Sequence, residues 1–204
     1  MILAVRSDSQ PSGRTFVEEA RRAQLVQTAI DVLAAHGYER ASLAAIARAA
    51  GVSKGVISYH FDGKEELLRE VVAHVSRQAE AAMTPHLMAA STATERLGAY
   101  IRSNLAFMAE HPDALRALIE VIVHTPAPNP YAEQHQAALA YVEALIAAGV
   151  QHGEFADVDP AVVALAVRGA IDAVPGRLAA DPDLDLERWG EQLSALFERA
   201  VSAP

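Results

Sequence analysis

The sequence predicts an all-α chain: an N-terminal three-helix head carrying a helix-turn-helix, then a helical bundle, about nine helices in all. Three observations predict it. An alanine-rich composition, 51 % apolar but only 5 % aromatic over 204 residues, suits helices around a real core. Apolar residues recur three and four apart in segment after segment, and Pro, Gly and capping residues punctuate the segments. Between Ser42 and Leu68, a small residue, a glycine, caps and two lysines fall at the offsets of a helix-turn-helix.

Met1 to Thr15 has no hydrophobic period and is rich in Ser, Pro, Gly and Arg. It reads as a flexible arm, residues 1–16, whose Arg6 and Arg14 are candidates for a minor groove; a tail without a role is the commoner case. The first helix runs from about Val17 to His36 on Val26, Ala29, Ile30 and Leu33, with Gly37 as C-cap and Tyr38 packed beneath. Arg21 and Arg22 either touch a DNA backbone or form a solvated face.

The helix-turn-helix follows. Two short helices that cross steeply need a small residue where their backbones meet, which is Ala47. The tight turn needs positive φ, which Gly51 adopts without steric cost. Ile46, Val52 and Ile57 form the apolar wedge that fixes the crossing angle, and Ser42 and Ser53 stand where N-caps belong. The second helix, about Lys54 to His60, is the candidate for the major groove. Its outward residues Lys54, Gly55, Ser58 and Tyr59 carry donors on little bulk. Ser42, Tyr59, His60 and Lys64 are placed to reach phosphates, and with Ser53 they complete the DNA-contact set. A plain helical hairpin with exposed lysines is the alternative, but the coincidence of offsets disfavours it.

A long fourth helix starts at Lys64 and runs toward Met83 on Leu68, Val71, Val72, Val75 and Ala79, ending near Thr84-Pro85. Thr94 can cap a fifth helix to about Glu110, with Leu97, Ile101, Leu105 and Met108 inward. After His111-Pro112, Asp113 can cap a sixth, in which Glu120 and His124 read as a solvated edge or local hydrogen bond. Thr125 to Pro130 is an extended connection, and a seventh helix runs from about Tyr131 to Gln151 on Ala138, Tyr141, Val142 and Leu145. Asp159-Pro160 starts an eighth, which Pro175-Gly176 interrupts after Val174. Asp185 caps a ninth with Trp189, Leu193, Leu196, Phe197 and Ala200 as its stripe.

The formal net charge of −9 is segregated. From Arg40 to Lys64 there are four basic residues and one acid; after Val71 there are eight arginines and seventeen acids. A basic tip on an acidic body binds phosphate locally and resists wrapping in DNA. Cysteine is absent, and the histidines lack metal-ligand spacing, so no metal site is expected. No apolar run would span a bilayer, and Arg6 and Asp8 end the apolar Met1–Val5 too early for a signal peptide; the cytoplasm is the expected location. No phosphate-cradling loop, nucleophile elbow or carboxylate pair on an apolar face supports an enzyme, so no catalytic residue and no cofactor is assigned.

GVSKGVISYHFDGKEELL resembles the DNA-binding signature of the tetracycline-repressor (TetR) family of bacterial transcription regulators, over about Val17 to Leu68. Ser58 stands where many members carry tyrosine, so that contact is not transferred; Tyr59 substitutes from a different direction. The resemblance implies a DNA-binding domain at residues 17–63 and an effector-binding and dimerisation domain at 64–204. It further implies a homodimer on a palindromic double-stranded operator, released by a small molecule. The last two helices would pair with their two-fold mates, through Val167, Gly169, Ala170, Ala173, Leu193, Leu196 and Phe197. Tyr100, Asn104, Phe107, Met108, Leu118, Ile122, Tyr141 and Leu145 are the pocket candidates, each also a plain core residue, and together they imply a mostly apolar effector. The competing reading is a helical small-molecule-binding protein or enzyme whose DNA binding is vestigial.

Overall fold

The computed structural model describes residues 15–126 and 129–203, so residues 1–14 of the N-terminal arm, with Arg6 and Arg14, and Ala127-Pro128 in the extended connection lie outside the described residues, whereas Thr15 and Phe16, read as part of the arm, cap and begin the first helix. Nine helices follow in order among those described: α1 Phe16–His36, α2 Leu43–Ala49, α3 Lys54–His60, α4 Lys64–Ala89, α5 Ala93–Glu110, α6 Pro112–His124, α7 Ala132–Gln151, α8 Pro160–Ala180 and α9 Leu186–Val201.

Local chemistry explains the ends. Thr15 and Glu18 form a capping box, with the Glu18 N–H donating to Thr15 Oγ1 and the Thr15 N–H to Glu18 Oε2. Ser42 accepts from Ala45 N–H, Asp159 from Ala161 N–H and Asp185 from Arg188 N–H. Ser53 sits at the N-cap of α3, but its hydroxyl makes no cap hydrogen bond there.

Four helix boundaries differ from the sequence reading. Helix α4 runs through Pro85 to Ala89, and α8 runs through Pro175 to Ala180. Proline's fixed φ is already helical and forfeits one hydrogen bond; the turns beyond are retained because Leu87 and Leu178 pack against the body core. Thr92, not Thr94, caps α5, because only Thr92 has a glutamate three residues on, Glu95, to close the box. His111, not Asp113, stands at the N-cap of α6, with Pro112 in the first turn.

The helices enclose two cores. The first is built from α1, α2, α3 and the first half of α4, and takes in Phe107, Ala114, Ala117 and Val121 from the body. The second gathers the end of α4 with α5, α7, α8 and α9 around Leu97, Ile101, Leu105, Val142, Ile146, Val167 and Ile171. The body therefore contributes α6 directly to the core of the head.

Candidate nucleic-acid interface and effector site

The motif at the head is rigid for the reasons its sequence gives. Gly51 has φ +68, the left-handed region that a β-carbon disfavours. The Val52 N–H donates to Ala47 O at 2.9 Å, closing the turn. Ile46, Ala47 and Ile57 are buried, so the angle of α3 is set by packing. With Ile57 pinned inward, Lys54, Gly55, Ser58 and Tyr59 emerge on the exposed side, and Ser42 and Ser53 are exposed beside them. Tyr59 is 72 % exposed and its hydroxyl donates to Glu18 Oε1 at 2.8 Å. The backbone of Thr15, and then Tyr59, hold the Glu18 carboxyl below its ordinary pKa.

Two expected phosphate contacts are not brought to that face. His60 is 8 % exposed, and its carbonyl accepts from Arg22 Nη1, so its side chain belongs to the interior of the head. Lys64 Nζ donates to Tyr38 O at 2.8 Å and lies 3.6 Å from the centre of the Tyr38 ring. Burial lowers the Lys64 pKa. The ammonium braces the start of α4 against the loop after α1. Arg22 is not part of a solvated face. Its Nη2 reaches Glu66 at 2.9 Å and Glu70 at 3.2 Å, and its guanidinium lies 4.1 Å over Phe61.

Tyr38 is also where the body touches the head. Its N–H donates to Glu120 Oε2 of α6 at 2.7 Å, and its ring stacks on His124 with centroids 5.2 Å apart. A β-carbon on Gly37 would stand 3.3 Å from Glu120 Oε2. Glu120 and His124, expected as a solvated edge or a local hydrogen bond, make that local contact, with His124 Nδ1 3.0 Å from Glu120 O, and also form a clamp on the head.

In the body the structure divides the pocket candidates. Tyr100 and Leu145 are buried in the second core, with Met108 and Tyr141 packed against it. Phe107 and Leu118 belong instead to the first core, and Ile122 is half-buried on the same helix as Leu118. Asn104 Nδ2 donates to Tyr100 O at 2.8 Å, one turn back. The residue the sequence reading missed is Arg168 of α8, which is 4 % exposed. Its Nη1 donates to Tyr100 Oη at 3.0 Å, and its Nη2 to Tyr131 Oη at 3.3 Å and to Asp172 Oδ1. The second carboxylate oxygen of Asp172 lies 3.3 Å from His135 Nδ1. Burial opposes the Arg168 charge, but Tyr100, Asp172 and Tyr131 outweigh it, so its pKa is raised; burial also raises Tyr100 and Tyr131. The only signal in the sequence was a lone arginine inside an apolar helix, at a position otherwise suited to core.

This cluster is incompletely satisfied. Among the described residues, Arg168 Nε and Tyr141 Oη are buried without a hydrogen-bond partner, and so are Gln134 Oε1 and Thr125 Oγ1. Each such atom costs about 1–3 kcal/mol in a folded protein.

The dimer candidates also divide. Val167 is fully buried within its own subunit and cannot serve an interface; helical periodicity turns it inward beside Ala164 and Ile171. Gly169 and Ala173 are exposed, and Ala170 is half-buried. Leu196 is 52 % exposed, whereas Leu193 and Phe197 are half-buried against the body core. Val162 and Leu165, which the sequence reading did not name, extend the exposed apolar face of α8 at 63 % and 64 %.

Comparison with known proteins is consistent along the chain. Residues 25–71 match the family described as bacterial regulatory proteins, tetR family, and residues 90–176 match the tetracyclin repressor-like C-terminal domain. The HTH-type transcriptional regulator BetI of Vibrio atlanticus is 38 % identical over 88 residues, 42 % of this chain and 44 % of the relative. The HTH-type transcriptional regulator SrpR of Pseudomonas putida is 39 % identical over 69 residues, 34 % of this chain and 32 % of the relative. The matches therefore span less than half of either relative. The fold resembles the fatty acid degradation regulator FadR of Bacillus halodurans, with a TM-score of 0.79 at 21 % identity over 92 % of this chain and 96 % of that one. It also resembles FadR of Bacillus subtilis, solved in complex with stearoyl-CoA, with a TM-score of 0.78 at 22 % identity over 88 % and 98 %.

Proposed function

Because this chain belongs to the tetR family of bacterial regulatory proteins, we propose that it is a homodimeric transcriptional repressor, released from a palindromic operator by a small, mostly apolar effector. The observation that carries this reading is the exposed face of α3. Lys54, Gly55, Ser58 and Tyr59 point outward from a helix whose angle is fixed by buried Ile57 and the Gly51 turn. Such a face admits base edges and phosphates at close range. Ser42 and Ser53 flank it as backbone contacts; His60 is left out of the contact set, and so is Lys64, whose ammonium is bonded to Tyr38.

A single recognition helix of this length reads too few bases for useful affinity, so two copies act together, with heads about 34–36 Å apart. The exposed apolar residues Val162, Leu165, Gly169, Ala173 and Leu196 are the surface through which α8 and α9 pair with a second copy. Residues 17–63 form the DNA-binding domain and 64–204 the effector-binding and dimerisation domain. The protein works in the cytoplasm; among the described residues no helix is long and apolar enough to cross a membrane. An effector acts by favouring a body geometry in which the heads no longer match successive grooves. That change reaches the head along α4 and also through the Glu120–Tyr38 clamp of α6.

The test is quantitative binding to an operator duplex. Lys54→Ala and Tyr59→Ala each weaken binding about tenfold while the dimer persists; unchanged affinity in both removes α3 as the reading helix. Leu165→Glu yields monomers on a sizing column, and an intact dimer places the interface elsewhere.

A further inference from the structure

Three helix faces converge on one buried cation. Tyr100, Asn104 and Met108 lie along one face of α5, and His135, Ala138 and Tyr141 along one face of α7, with Tyr131 at its N-cap. Arg168 and Asp172 lie one turn apart on α8. The Tyr100 and Tyr141 rings are 5.4 Å apart, and the Tyr100 hydroxyl joins this ring pair to the guanidinium. A guanidinium binds a carboxylate best through two parallel N–H groups on one edge. Asp172 falls short of that arrangement: one oxygen takes Arg168 Nη2, the other faces His135, and Nε–H is left without an acceptor. The Tyr141 hydroxyl is likewise buried without a partner. Both atoms are hydrogen-bond donors; the guanidinium has no acceptor atom, and a phenol donates readily to an anion. Met108 and Leu87 pack at the margin of the same core, half-buried.

We propose that the body binds a monocarboxylate with an apolar chain or ring, its carboxylate received by Arg168 Nε–H and the Tyr141 hydroxyl. The inference rests on the reading of the body as an effector-binding domain and supplies the chemical class of the effector. The charge arithmetic selects one negative charge. Arg168 and Asp172 cancel formally, and Arg96, which donates to Leu87 O and Ala90 O, places one further positive charge near Tyr141, so a second anionic group on the ligand would face the Asp172 carboxylate uncompensated. A neutral alcohol fails to draw on the charge, and a cation meets the guanidinium. The apolar remainder of the ligand packs on the aromatic rings of Tyr100 and Tyr141 and on Met108, whose flexible thioether adapts to the chain. Asp172 is the internal competitor for the same guanidinium, so it limits affinity.

The experiment uses the whole chain without DNA, so it does not depend on the regulatory reading. Binding of hexanoate, decanoate, tetradecanoate and phenylacetate is measured by calorimetry and thermal shift, each beside its matched primary amide and alcohol. At least one carboxylate is expected to bind ten times or more tighter than its amide and alcohol. Tyr141→Phe weakens it about threefold to tenfold, and Arg168→Gln abolishes it. Asp172→Asn tightens it, a gain that a purely structural role for Asp172 does not produce. If Arg168→Gln does not fold, Tyr141→Phe and Asp172→Asn decide the question alone. Equal binding of carboxylate and alcohol, no binding by any of the four acids, or an Asp172→Asn variant that binds no tighter overturns the proposal. A second arm adds the bound acid to the protein–operator complex. Binding without release leaves the site standing and counts against the effector reading, whereas release without selectivity for the carboxylate does the reverse.

Discussion

Each half of the molecule draws an arginine into its packing, half-buried in the head and buried in the body, and the two are treated differently. In the head, Arg22 lies under the end of α3, with its guanidinium bonded to His60 O, Glu66 and Glu70 and stacked over Phe61. Two carboxylates, a carbonyl and an aromatic face leave it fully engaged. In the body, Arg168 is more deeply buried, yet it has one carboxylate, two neutral phenols and an Nε–H with no acceptor. A buried charge stabilises a fold only when its hydrogen bonds are complete, and otherwise it costs stability. The head uses its arginine to hold one shape, as a surface that reads DNA must. The body keeps a charge whose hydrogen bonding a ligand can complete.

Substitutions can break this contrast, and their effects fall in a sequence. Arg22→Ala is the largest: it leaves Glu66 and Glu70 facing each other at the α1–α4 junction and costs about 2–4 kcal/mol in denaturant unfolding. Arg22→Lys recovers only part, since a compact ammonium lacks the planar fork that spreads its donors over three acceptors and stacks on Phe61. Gly149→Ala comes next, in the body. A β-carbon there would lie 2.1 Å from the buried Phe155 ring, so the ring must move, at about 1–3 kcal/mol of thermal stability. An unshifted Tm would mean that the α7 end is looser than the head. Lys54→Ala leaves stability alone and lowers operator affinity about tenfold, with a salt dependence shallower by about one ion. Glu120→Gln keeps the helices but weakens the clamp on Tyr38 by about 1 kcal/mol; ligand release of DNA becomes less efficient while ligand binding in the body is unchanged.

Acid sharpens the comparison from the other side. Burial raises the Glu70 pKa, but its bonds to Arg77 and Arg22 outweigh this and hold it below its ordinary value of 4.5. A carboxyl depressed in the folded state stabilises fully above its unfolded pKa, and that contribution is lost as pH falls through the folded value. Acid unfolding below pH 4.5 therefore loosens the α1–α4 junction, and Glu70→Gln makes stability less steeply dependent on pH in that range.

The two halves also differ in how far the sequence discloses them. The head is read from Ala47, Gly51, Val52 and Ile57 because its constraints are local: a close approach, a positive φ and a wedge within sixteen residues. Its exposed face follows from the same periodicity. What that reading missed is tertiary, such as His60 turning inward and Lys64 folding onto Tyr38. The body is set by contacts between distant segments. Nothing near Arg168 in the sequence announces Tyr100 or Tyr131, and Val167 differs from its neighbours only in the face it takes on α8. Pro85 and Pro175 mislead for a related reason, since the packing of Leu87 and Leu178 outweighs the hydrogen bond each proline forfeits. The capping box of Thr92 and Glu95 was legible and is the one boundary a closer reading would have found.

The central claim is that a rigid head reads DNA sequence as one half of a symmetric pair. Selection of bound sequences from random duplex DNA, with purified protein at moderate salt, tests it most directly. The account predicts an enriched palindrome with half-sites about one helical turn apart, lost in Lys54→Ala. No enrichment by protein shown to be folded and dimeric, with and without a carboxylate that binds the body, would contradict it.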